Sequence, residues 1–566
     1  MREVSPEEKV TPFEAVRLCS QGIEVLLRGS WEQLRRLGDI EVADLVAFAQ
    51  ATYGERWLKR LSEDLPRVFA DFGKRLVTPI PAVLGNDKAT TSTMLSCTEE
   101  KRVSSLVYNR SQLEELRRPA SNEGDTLRAL LLARYSYWQL VDDPDWVMEP
   151  VTDALSDEVS PGEFELAVYK SLARMGDGHT RTRRSRAALL IDSTKRAGLT
   201  PSFLPFRLLP VEQNRFVAID QQGELVESQY PYVSELDGVP ISRWAVAVGD
   251  VVPIVSDHFR ILITADVLSH VTWARGCLDL PNHNYVDAQF IDSNGDGPIK
   301  RFETIEKPIS RFETLRSRSI LKGNVGYLPI SSARPGAAEQ ALTDFEALKS
   351  TEGLVIDLRN NRGGVRELIR QLTPHFLDPD GPDVVFNIAA KRLFSGESRN
   401  DAGLLDDRHV FPHGSDHHTS AGRAAIERTM RSFLPTWSPP AEDFSEWHFG
   451  TLSPTLTTWH YGRKVALLTN ESTFSAAEIL TTSLRCCPLV IHVGTTTGGG
   501  SGRPLPYTLP SSNVRVQMSS MVSYRPDGQL YERAGVVPDH VVPRRASDIA
   551  EKFDSALETA RRLVIE

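Results

Sequence analysis

Ser475 lies in the stretch TNESTFSAAEIL (469–480), directly after the apolar run KVALLTN. That run predicts a buried strand and SAAEILTTSL predicts a helix, so the serine falls where a strand turns into a helix. A hydroxyl at such a turn could act as a nucleophile, with the oxyanion bound by free N–H groups at the helix start, including that of Ala476. The alternative interpretation is a helix N-cap, because Glu478 stands three residues later, as in a capping box.

Two glycines follow a second apolar strand. GLVIDLRNNRGG (353–364) predicts a buried strand that ends in a polar turn. Because glycine has no Cβ, a backbone amide at such a position can approach a substrate carbonyl closely. A left-handed turn would explain one glycine, but two adjacent glycines favour a site of close backbone approach.

A histidine follows the second helical stretch of the sequence. GEFELAVYKSLARM (162–175) has helical spacing and is followed by GDGHT, which contains His179. Imidazole has an ordinary pKa near 6.5, so it can accept a serine proton at neutral pH and return it to a leaving amine. Taken alone, however, a histidine after Gly-Asp-Gly is typical of a loop or a helix end.

Together these segments resemble a known family of serine proteases. GNVGYLPI, VIDLRNNRGG, NESTFSAAEIL, VGTTTGGGSGRP and YERAGVVPD occur in the order and spacing of the tail-specific, or C-terminal processing, proteases. That family is grouped with the tricorn core protease and the interphotoreceptor retinoid-binding protein repeats. The resemblance runs from about residue 122 to the end of the sequence. It implies an α/β core of the Clp-protease/crotonase type, with Ser475 as the nucleophile.

The resemblance also bears on the general base. Tail-specific members place a lysine in a glycine-rich turn twenty-five residues after the serine, but here that position is Gly500. No lysine lies between Ser475 and the end of that turn, so a Ser–Lys dyad is excluded. The tricorn-like branch uses a histidine from the preceding helical segment, and GDGHT resembles that branch closely. His179 is therefore the expected base, since a serine hydroxyl without a base is a weak nucleophile.

Tricorn-like members support this histidine with a glutamate, in the pattern E-x-x-GVxPD, and with a serine before the histidine. Glu532 matches the glutamate, but Gly178 stands in place of the serine. Either Glu532 reaches His179 directly or through water, or Asp177 or Thr180 orients the imidazole.

Backbone amides are expected to form the oxyanion hole of such an enzyme. We expect the amides of Gly364 and Ala476 in this role, with Gly363 as the competing choice.

A basic run, TRTRRSR (180–186), contains the residues that directly follow the histidine. Such a run is usually a solvated face. If His179 is catalytic, however, the arginines lie near the cleft and could pair with the C-terminal carboxylate of a peptide. We expect substrate binding by Arg181 and Arg183, with Arg184 and Arg186 as further candidates.

Changes in pattern along the chain predict four segments. Residues 1–120 have helical spacing in FEAVRLCSQGIEVLL, EVADLVAFAQATY and WLKRLSEDLPRVFADFGKRL, which predicts a helical extension of unknown role. Residues 121–196 predict a helical segment that carries His179. Residues 197–310 have short β-like runs that resemble the PDZ-like insert of the family, which would bind peptide by strand addition. Residues 311–566 alternate apolar strands with helices, as in a mostly parallel sheet, with a long insertion at about 380–462.

Composition limits the classes of function. The 566 residues are 40% hydrophobic and 25% charged, which is typical of a soluble globular protein of several domains. A formal net charge of −10 argues against a nucleic-acid partner. The five cysteines are scattered and odd in number, so no disulfide framework is evident. The first twenty residues lack the apolar stretch of a secretory signal, and no run of 18 apolar residues occurs, so we expect a cytoplasmic protein with no membrane partner.

Two stretches have the spacing of metal sites. DSNGDGPIKRFE (292–303) fits a calcium loop, but YVDAQFI and IKRFETI predict strands around a hairpin turn where an EF-hand needs helices. PHGSDHH (412–418) clusters histidines without a cysteine partner or an HExxH helix. We expect neither a metal nor a cofactor.

The sequence thus predicts an ATP-independent serine peptidase that hydrolyses peptides or unfolded protein tails through an acyl-enzyme on Ser475. One alternative is a non-catalytic carrier of hydrophobic ligands on the same fold, although a carrier has no physical need for Ser475, His179 and Glu532 together. Another is a dedicated esterase or small-peptide hydrolase of a biosynthetic pathway, since the long insertion could act as a lid that narrows access. Related peptidases often form closed oligomers, so a homo-oligomer is a further expectation.

Overall fold

A computed structural model describes residues 2–6, 8, 10–13, 15–19, 22–27, 30–54, 57–86, 89–97, 119–156, 159–309 and 317–566. The chain divides into two units, Met1–Arg117 and Arg118–Glu566. Each unit is described by itself. Within the described ranges, no helix is both long enough and apolar enough to cross a membrane.

The N-terminal unit combines an antiparallel sheet with helices. Its elements are β1 (Arg2–Glu3), β2 (Ala15–Cys19), β3 (Gly22–Leu27), β4 (Ser30–Leu37), β5 (Ile40–Glu41), α1 (Val42–Tyr53), α2 (Trp57–Glu63), α3 (Leu65–Asp71), β6 (Val77–Thr78), β7 (Ile80–Asn86) and β8 (Ala89–Leu95). The main sheet has the order β2-β3-β4-β7-β8. EVADLVAFAQATY forms α1 and WLKRLSEDLPRVFADFGKRL forms α2 and α3, as predicted, but the prediction of helix is wrong for FEAVRLCSQGIEVLL, which forms β2 and β3. In β3, the buried Ile23 and Val25 are two residues apart, which is the period of a strand.

The segment before His179 is helical. Its elements are α4 (Glu123–Arg134), α5 (Pro144–Ser156), α6 (Pro161–Ala173), β9 (Arg181–Thr182) and α7 (Arg186–Arg196). Helix α6 begins with a capping box between Ser160 and Glu163. After the helix the chain turns through Gly176, whose φ is 79°. This turn directs the next residues, including His179, toward the core of the unit.

The third segment is an antiparallel sheet with helices packed against it. Its elements are β10 (Arg207–Pro210), β11 (Phe216–Ile219), β12 (Tyr232–Leu236), β13 (Val239–Pro240), α8 (Ile241–Ala247), α9 (Asp257–Leu268), α10 (Val271–Gly276), β14 (Tyr285–Ile291) and β15 (Ile299–Glu303). The strand order is β10-β11-β12-β14-β15. The calcium-like stretch is the turn between β14 and β15, where Asp292 Oδ1 accepts hydrogen bonds from the N–H groups of Asn294 and Asp296.

The α/β core is confirmed. The remaining elements are β16 (Ser319–Leu321), β17 (Val325–Pro329), α11 (Pro335–Glu346), β18 (Gly353–Asp357), α12 (Glu367–Leu372), β19 (Val384–Lys391), β20 (Phe411–Pro412), α13 (Ser420–Met430), β21 (His448–Leu452), β22 (Val465–Thr469), α14 (Ala476–Arg485), β23 (Val490–Gly494), β24 (Pro504–Thr508), β25 (Arg515–Ser519), β26 (Met521–Tyr524), β27 (His540–Val541), α15 (Ala546–Ala550) and α16 (Ser555–Leu563). The central sheet has the order β16-β17-β18-β22-β23-β27 and is parallel except for β16. Apolar residues of α11, α12 and α14 cover one face, and those of α16 cover the other.

The long insertion and the helical segment pack on the same half of the molecule. Strands β19, β20 and β21, which lie in the insertion, join β26 in the order β20-β21-β19-β26. Strand β9, which directly follows His179, joins the hairpin β24-β25. Residues of α4, α5 and α6 share one apolar cluster with β19 and β25. The predicted boundary at residue 196 therefore separates stretches of sequence that fold around a common core.

Helix α4 is tied to the β24-β25 hairpin by a buried carboxylate. Glu123 accepts hydrogen bonds of 2.9 Å from the N–H groups of both Ser511 and Ser512. We expect Glu123→Ala to lower the free energy of unfolding by about 2 kcal/mol, because two amides lose their acceptor. Urea unfolding measures this free energy. The control is Asp125→Ala, because Asp125 lies on the exposed face of the same helix. Equal transition midpoints for the two variants would contradict the prediction.

Candidate active site

Ser475 lies at the junction of β22 and α14 in a strained backbone conformation. Its φ of 63° is in the left-handed region, which costs about 1–3 kcal/mol for a residue other than glycine. Its side chain makes no hydrogen bond to the helix start. Glu478 does not complete a capping box either, since its carboxyl accepts hydrogen bonds from Gly499 N, at 2.8 Å, and Gly500 N, at 2.6 Å. The helix-cap interpretation of Ser475 is therefore wrong, and its hydroxyl is available for another partner.

That partner is His179. The distance from His179 Nε2 to Ser475 Oγ is 2.9 Å, which is a hydrogen bond between side chains 296 positions apart in the sequence. The imidazole is 8% exposed, and its ring stacks on that of Phe474 with the centroids 4.7 Å apart. The structure thus brings together the two residues that the sequence singled out as nucleophile and base.

Two carboxyl groups face the other nitrogen of the imidazole. His179 Nδ1 lies 3.7 Å from Asp177 Oδ1 and 3.9 Å from Glu532 Oε1. These distances are too long for hydrogen bonds but short enough for strong electrostatic attraction in a buried site. The Thr180 hydroxyl donates to Asp177 Oδ2 at 2.5 Å, so Thr180 holds Asp177 and makes no hydrogen bond to the imidazole. The carboxylate of Asp177, with the Glu532 carboxyl beside it, favours a proton on Nδ1, which leaves the Nε2 lone pair facing Ser475.

The ligand atoms of Asp177, His179 and Glu532 lie within 4.8 Å of one another, so their donor set alone could hold a metal ion. Both oxygens of Asp177 already accept hydrogen bonds, from His179 N and from the Thr180 hydroxyl. Glu532 Oε2 accepts a hydrogen bond of 2.8 Å from Ser501 N. We therefore interpret the two carboxyl groups, each held by hydrogen bonds from other groups, as electrostatic partners of the imidazole.

The glycine pair lies directly against the serine. A Cβ added to Gly363 would stand 2.7 Å from Ala476 N and 2.8 Å from Ser475 Cβ, so only glycine fits there. The Gly363 amide donates to Asn361 Oδ1 at 2.9 Å and is already used. Within the described part of the chain, the N–H groups of Gly364 and Ala476 donate no hydrogen bond. This geometry favours Gly364 over Gly363 as an oxyanion donor.

Comparison with known proteins finds one match to a family model, and it covers part of the chain. Residues 324–542 match the model of peptidase family S41. The chain carries an S41 peptidase domain. The resemblance to tail-specific and tricorn-type peptidases is thereby confirmed, and the enzyme is a serine-type peptidase. Ser475 and Glu532 lie inside the matched residues, whereas His179 lies before them.

Solved structures share the fold of this chain over a longer stretch. Mature CPAF has a TM-score of 0.54 and 15% sequence identity, with 80% of this chain and 97% of that chain covered. Mature CPAF complexed with lactacystin has a TM-score of 0.53 and 16% identity, with 80% and 98% covered. At these identities the similarity shows a common fold, which includes more of the chain than the matched domain.

A cleft of about 620 Å³ opens beside Ser475 and His179. Arg181, which we expected to bind substrate, lines this cleft, but Arg183 does not. Arg184 also lines it and forms ion pairs with Glu165 and Asp192. The lining also includes apolar side chains (Tyr169, Pro253, Phe259, Ile263, Phe474), two further arginines (Arg186, Arg362), the acidic Asp266 and the polar Ser185 and Gln517. The cleft therefore offers an apolar wall and several positive charges next to the serine.

Sequence reasoning missed three neighbours of the imidazole cluster. Tyr137 donates a hydrogen bond of 3.4 Å to Glu532 Oε2, and Ser501 N binds the same oxygen. Phe474 stacks on the imidazole. Tyr137 carried no local signal, whereas Phe474 and Ser501 lie inside the quoted motifs without a residue type that suggests a role.

Burial and mutual charge shift the pKa values of His179, Glu532 and Asp177. Burial alone would lower the pKa of His179, but the Asp177 and Glu532 carboxyl groups outweigh it and raise the pKa to about 9. Burial and the nearby charge of Asp177 raise the pKa of Glu532 to about 8. Burial also opposes ionisation of Asp177, yet its interactions with His179 hold the pKa of Asp177 well below the usual range. Asp177 is thus the main negative charge that stabilises a protonated His179.

We expect Asp177→Asn to lower the pKa of His179 from about 9 toward the ordinary value near 6.5, because the variant removes that charge and retains an acceptor oxygen. NMR titration of the protein, with its histidines labelled at Cε1, measures the pKa of His179. His270, whose pKa burial lowers to about 4, serves as an internal control that the substitution leaves unchanged. An unaltered His179 titration in Asp177→Asn would contradict the assignment.

Proposed function

We propose that the S41 peptidase hydrolyses peptide bonds with Ser475 as nucleophile and His179 as general base. The observation that carries this proposal is the 2.9 Å contact between Ser475 Oγ and His179 Nε2. Gly500 stands at the position where the Ser–Lys branch has its lysine. Asp177 and Glu532 would keep the proton on Nδ1 and stabilise the imidazolium that forms during the reaction. The capping alternative no longer competes for the serine hydroxyl.

The proposed reaction has two halves. In the first, His179 takes the proton of Ser475 while Oγ forms a bond to the carbonyl carbon, and the N–H groups of Gly364 and Ala476 bind the oxyanion. The C–N bond then breaks, and the imidazolium gives its proton to the leaving amine. In the second half, His179 takes a proton from water while the water oxygen forms a bond to the acyl carbon. The bond between that carbon and Ser475 Oγ then breaks, the imidazolium returns the proton to Oγ, and the carboxylic acid leaves. The cycle needs neither ATP nor a cofactor.

The cleft suggests the kind of substrate. Its apolar wall fits the side chains of an extended peptide, and Arg181 lies where a C-terminal carboxylate could bind by a charge-assisted hydrogen bond. We therefore propose peptides or unfolded protein tails as substrates. Cytoplasmic location, a homo-oligomeric state and peptide binding by the PDZ-like module stay predictions from the sequence.

Covalent labelling tests the proposed nucleophile and base. We expect a fluorophosphonate to label wild-type protein at Ser475, Ser475→Ala to abolish labelling, and His179→Ala to slow it by at least about 10³-fold. Because the base must be neutral, the labelling rate should rise between pH 7 and 9, through the pKa of His179. Mass spectrometry of the labelled peptide and a time course at each pH give these values.

Ser171→Ala is a matched control, since Ser171 is buried, its hydroxyl makes no hydrogen bond within the described residues, and it does not line the cleft. Well-folded wild-type protein that takes up no label would favour the ligand-carrier alternative. Label on Ser475 with hydrolysis of esters and no hydrolysis of peptides would favour a dedicated esterase.

The role of Arg181 is tested by charge reversal. We expect Arg181→Glu to raise KM about tenfold for peptides with a free C-terminal carboxylate and to leave KM for the amidated peptides nearly unchanged, because only the former lose an ion pair. Arg183→Glu is the matched control, as Arg183 is an exposed neighbour that does not line the cleft. Equal effects of Arg181→Glu on both kinds of peptide would overturn the proposed contact.

A further inference from the structure

The ring of Phe474, the residue before the nucleophile, is held between two other rings. On one side it stacks on His179, with centroids 4.7 Å apart and planes 25° apart. On the other side it packs against Phe259, with centroids 5.2 Å apart and planes 35° apart. Phe474 and Phe259 are each 7% exposed, so both rings are part of the packed interior. The imidazole is therefore the end of a three-ring stack.

Three glycines make room for the Phe474 ring. A Cβ added to Gly178 would stand 2.7 Å from Phe474 Cζ, and one added to Gly500 would stand 2.4 Å from Phe474 Cε2. A Cβ on Gly498 would stand 2.9 Å from Phe474 Cδ2. Gly178 and Gly500 are the positions where the resembled branches carry a serine and a lysine. The ring thus fills space that a larger residue at either position would need.

The polar contacts of His179 leave the plane of its ring weakly defined. Nε2 has the close contact to Ser475, but the nearest polar atoms to Nδ1 are Gly502 N at 3.4 Å and the two carboxyl oxygens at 3.7 and 3.9 Å. A hydrogen bond loses most of its strength and direction at such distances. A single bond at Nε2 does not prevent rotation of the ring about the line to Ser475, whereas a face packed on Phe474 does.

We propose that Phe474, supported by Phe259, is the positioning residue that fixes the imidazole plane of His179 and so aims Nε2 at Ser475. This inference rests on the proposed function of His179 as general base, and it names what orients the imidazole where Gly178 replaces a serine. Phe474 acts through His179 and is not itself a catalytic residue.

The outer ring of the stack comes from the third segment of the chain. Phe259 lies in the first turn of α9, and Ser256, which caps that helix, donates a hydrogen bond of 2.6 Å to Gly498 O. The helix is thereby fixed to the same glycine-rich turn that borders Phe474. The support for His179 therefore depends on the packing of α9 against the catalytic core.

The test compares Phe474→Leu in two backgrounds by the rate constant of fluorophosphonate labelling. Leucine retains apolar bulk and removes the flat ring. In the wild-type background we expect a loss of about 10- to 100-fold, the usual effect of misplacing a catalytic group by about 1 Å. In the His179→Ala background we expect less than about a twofold loss, because the group that Phe474 orients is absent. A role in folding alone, or in placing Ser475, would give the same loss in both backgrounds.

Two further variants keep the result interpretable. Gly178→Ala should slow labelling in the wild-type background, because the added Cβ pushes the Phe474 ring away from the imidazole. Added to Phe474→Leu, the same substitution should slow labelling little further. Phe433→Leu is the matched control, because Phe433 is also 7% exposed and packs against an aromatic ring, that of Trp447 at 5.4 Å, outside the cleft. It should label at the wild-type rate.

The possible failures are distinguishable. Equal labelling of wild type and His179→Ala would overturn the proposed base, and with it the positioning role of Phe474. A slow His179→Ala variant, together with a Phe474→Leu variant that labels at the wild-type rate, would overturn the positioning role alone. The same conclusion would follow from an equal loss on Phe474→Leu in both backgrounds.

Discussion

The site depends on one buried carboxyl group, that of Glu478, and on the glycine-rich turn it holds. Glu478 lies in the first turn of α14 and accepts hydrogen bonds from Gly499 N, Gly500 N and the hydroxyl of Thr497. Burial raises its pKa to about 7 in spite of these hydrogen bonds. The helix start favours its negative form, because the peptide dipoles of α14 place partial positive charge there.

The turn held by Glu478 touches the other groups of the site. Gly500 O accepts the hydrogen bond of Ser475 N, Ser501 N binds Glu532, and Gly502 N lies 3.4 Å from His179 Nδ1. In the resembled Ser–Lys branch this turn would also supply the base. Here it is a backbone scaffold, and its lack of side chains is what allows the aromatic stack to occupy the site. Under the proposed mechanism, the same glycines that leave no lysine in the turn also make room for Phe474.

Much of the site could be predicted from the sequence because its signals are local. Ser475, the glycine pair and His179 each follow an element with a clear apolar period, and their order matched one family. The partners of His179 could not be ranked, because Asp177, Glu532 and Tyr137 come from separate segments whose distances depend on tertiary packing. The role of Phe474 could not be predicted for the same reason, because its ring is positioned by contacts with residues far from it in sequence.

Local patterns failed most clearly in the N-terminal unit. In FEAVRLCSQGIEVLL, the spacing of apolar residues fits a helix about as well as two strands, and pairing of β3 with β4 decides the outcome. The apolar runs of the parallel sheet were easier to interpret, because strands buried on both faces are apolar at nearly every position. Prediction was therefore reliable where burial is complete and poor where it is one-sided.

The pairing of β9 with β25 has a consequence for biosynthesis. The strand that directly follows His179 gains its partner only when residues 515–519 have been made, and Glu532 is made later still. Ribosomes add about 5–20 residues per second, so His179 precedes Glu532 by many seconds of synthesis. During that interval the chain contains a histidine, and later a serine, but not the geometry that would join them. A peptidase built in this way is expected to be inert toward its own nascent chain and toward its neighbours until the catalytic unit is nearly complete.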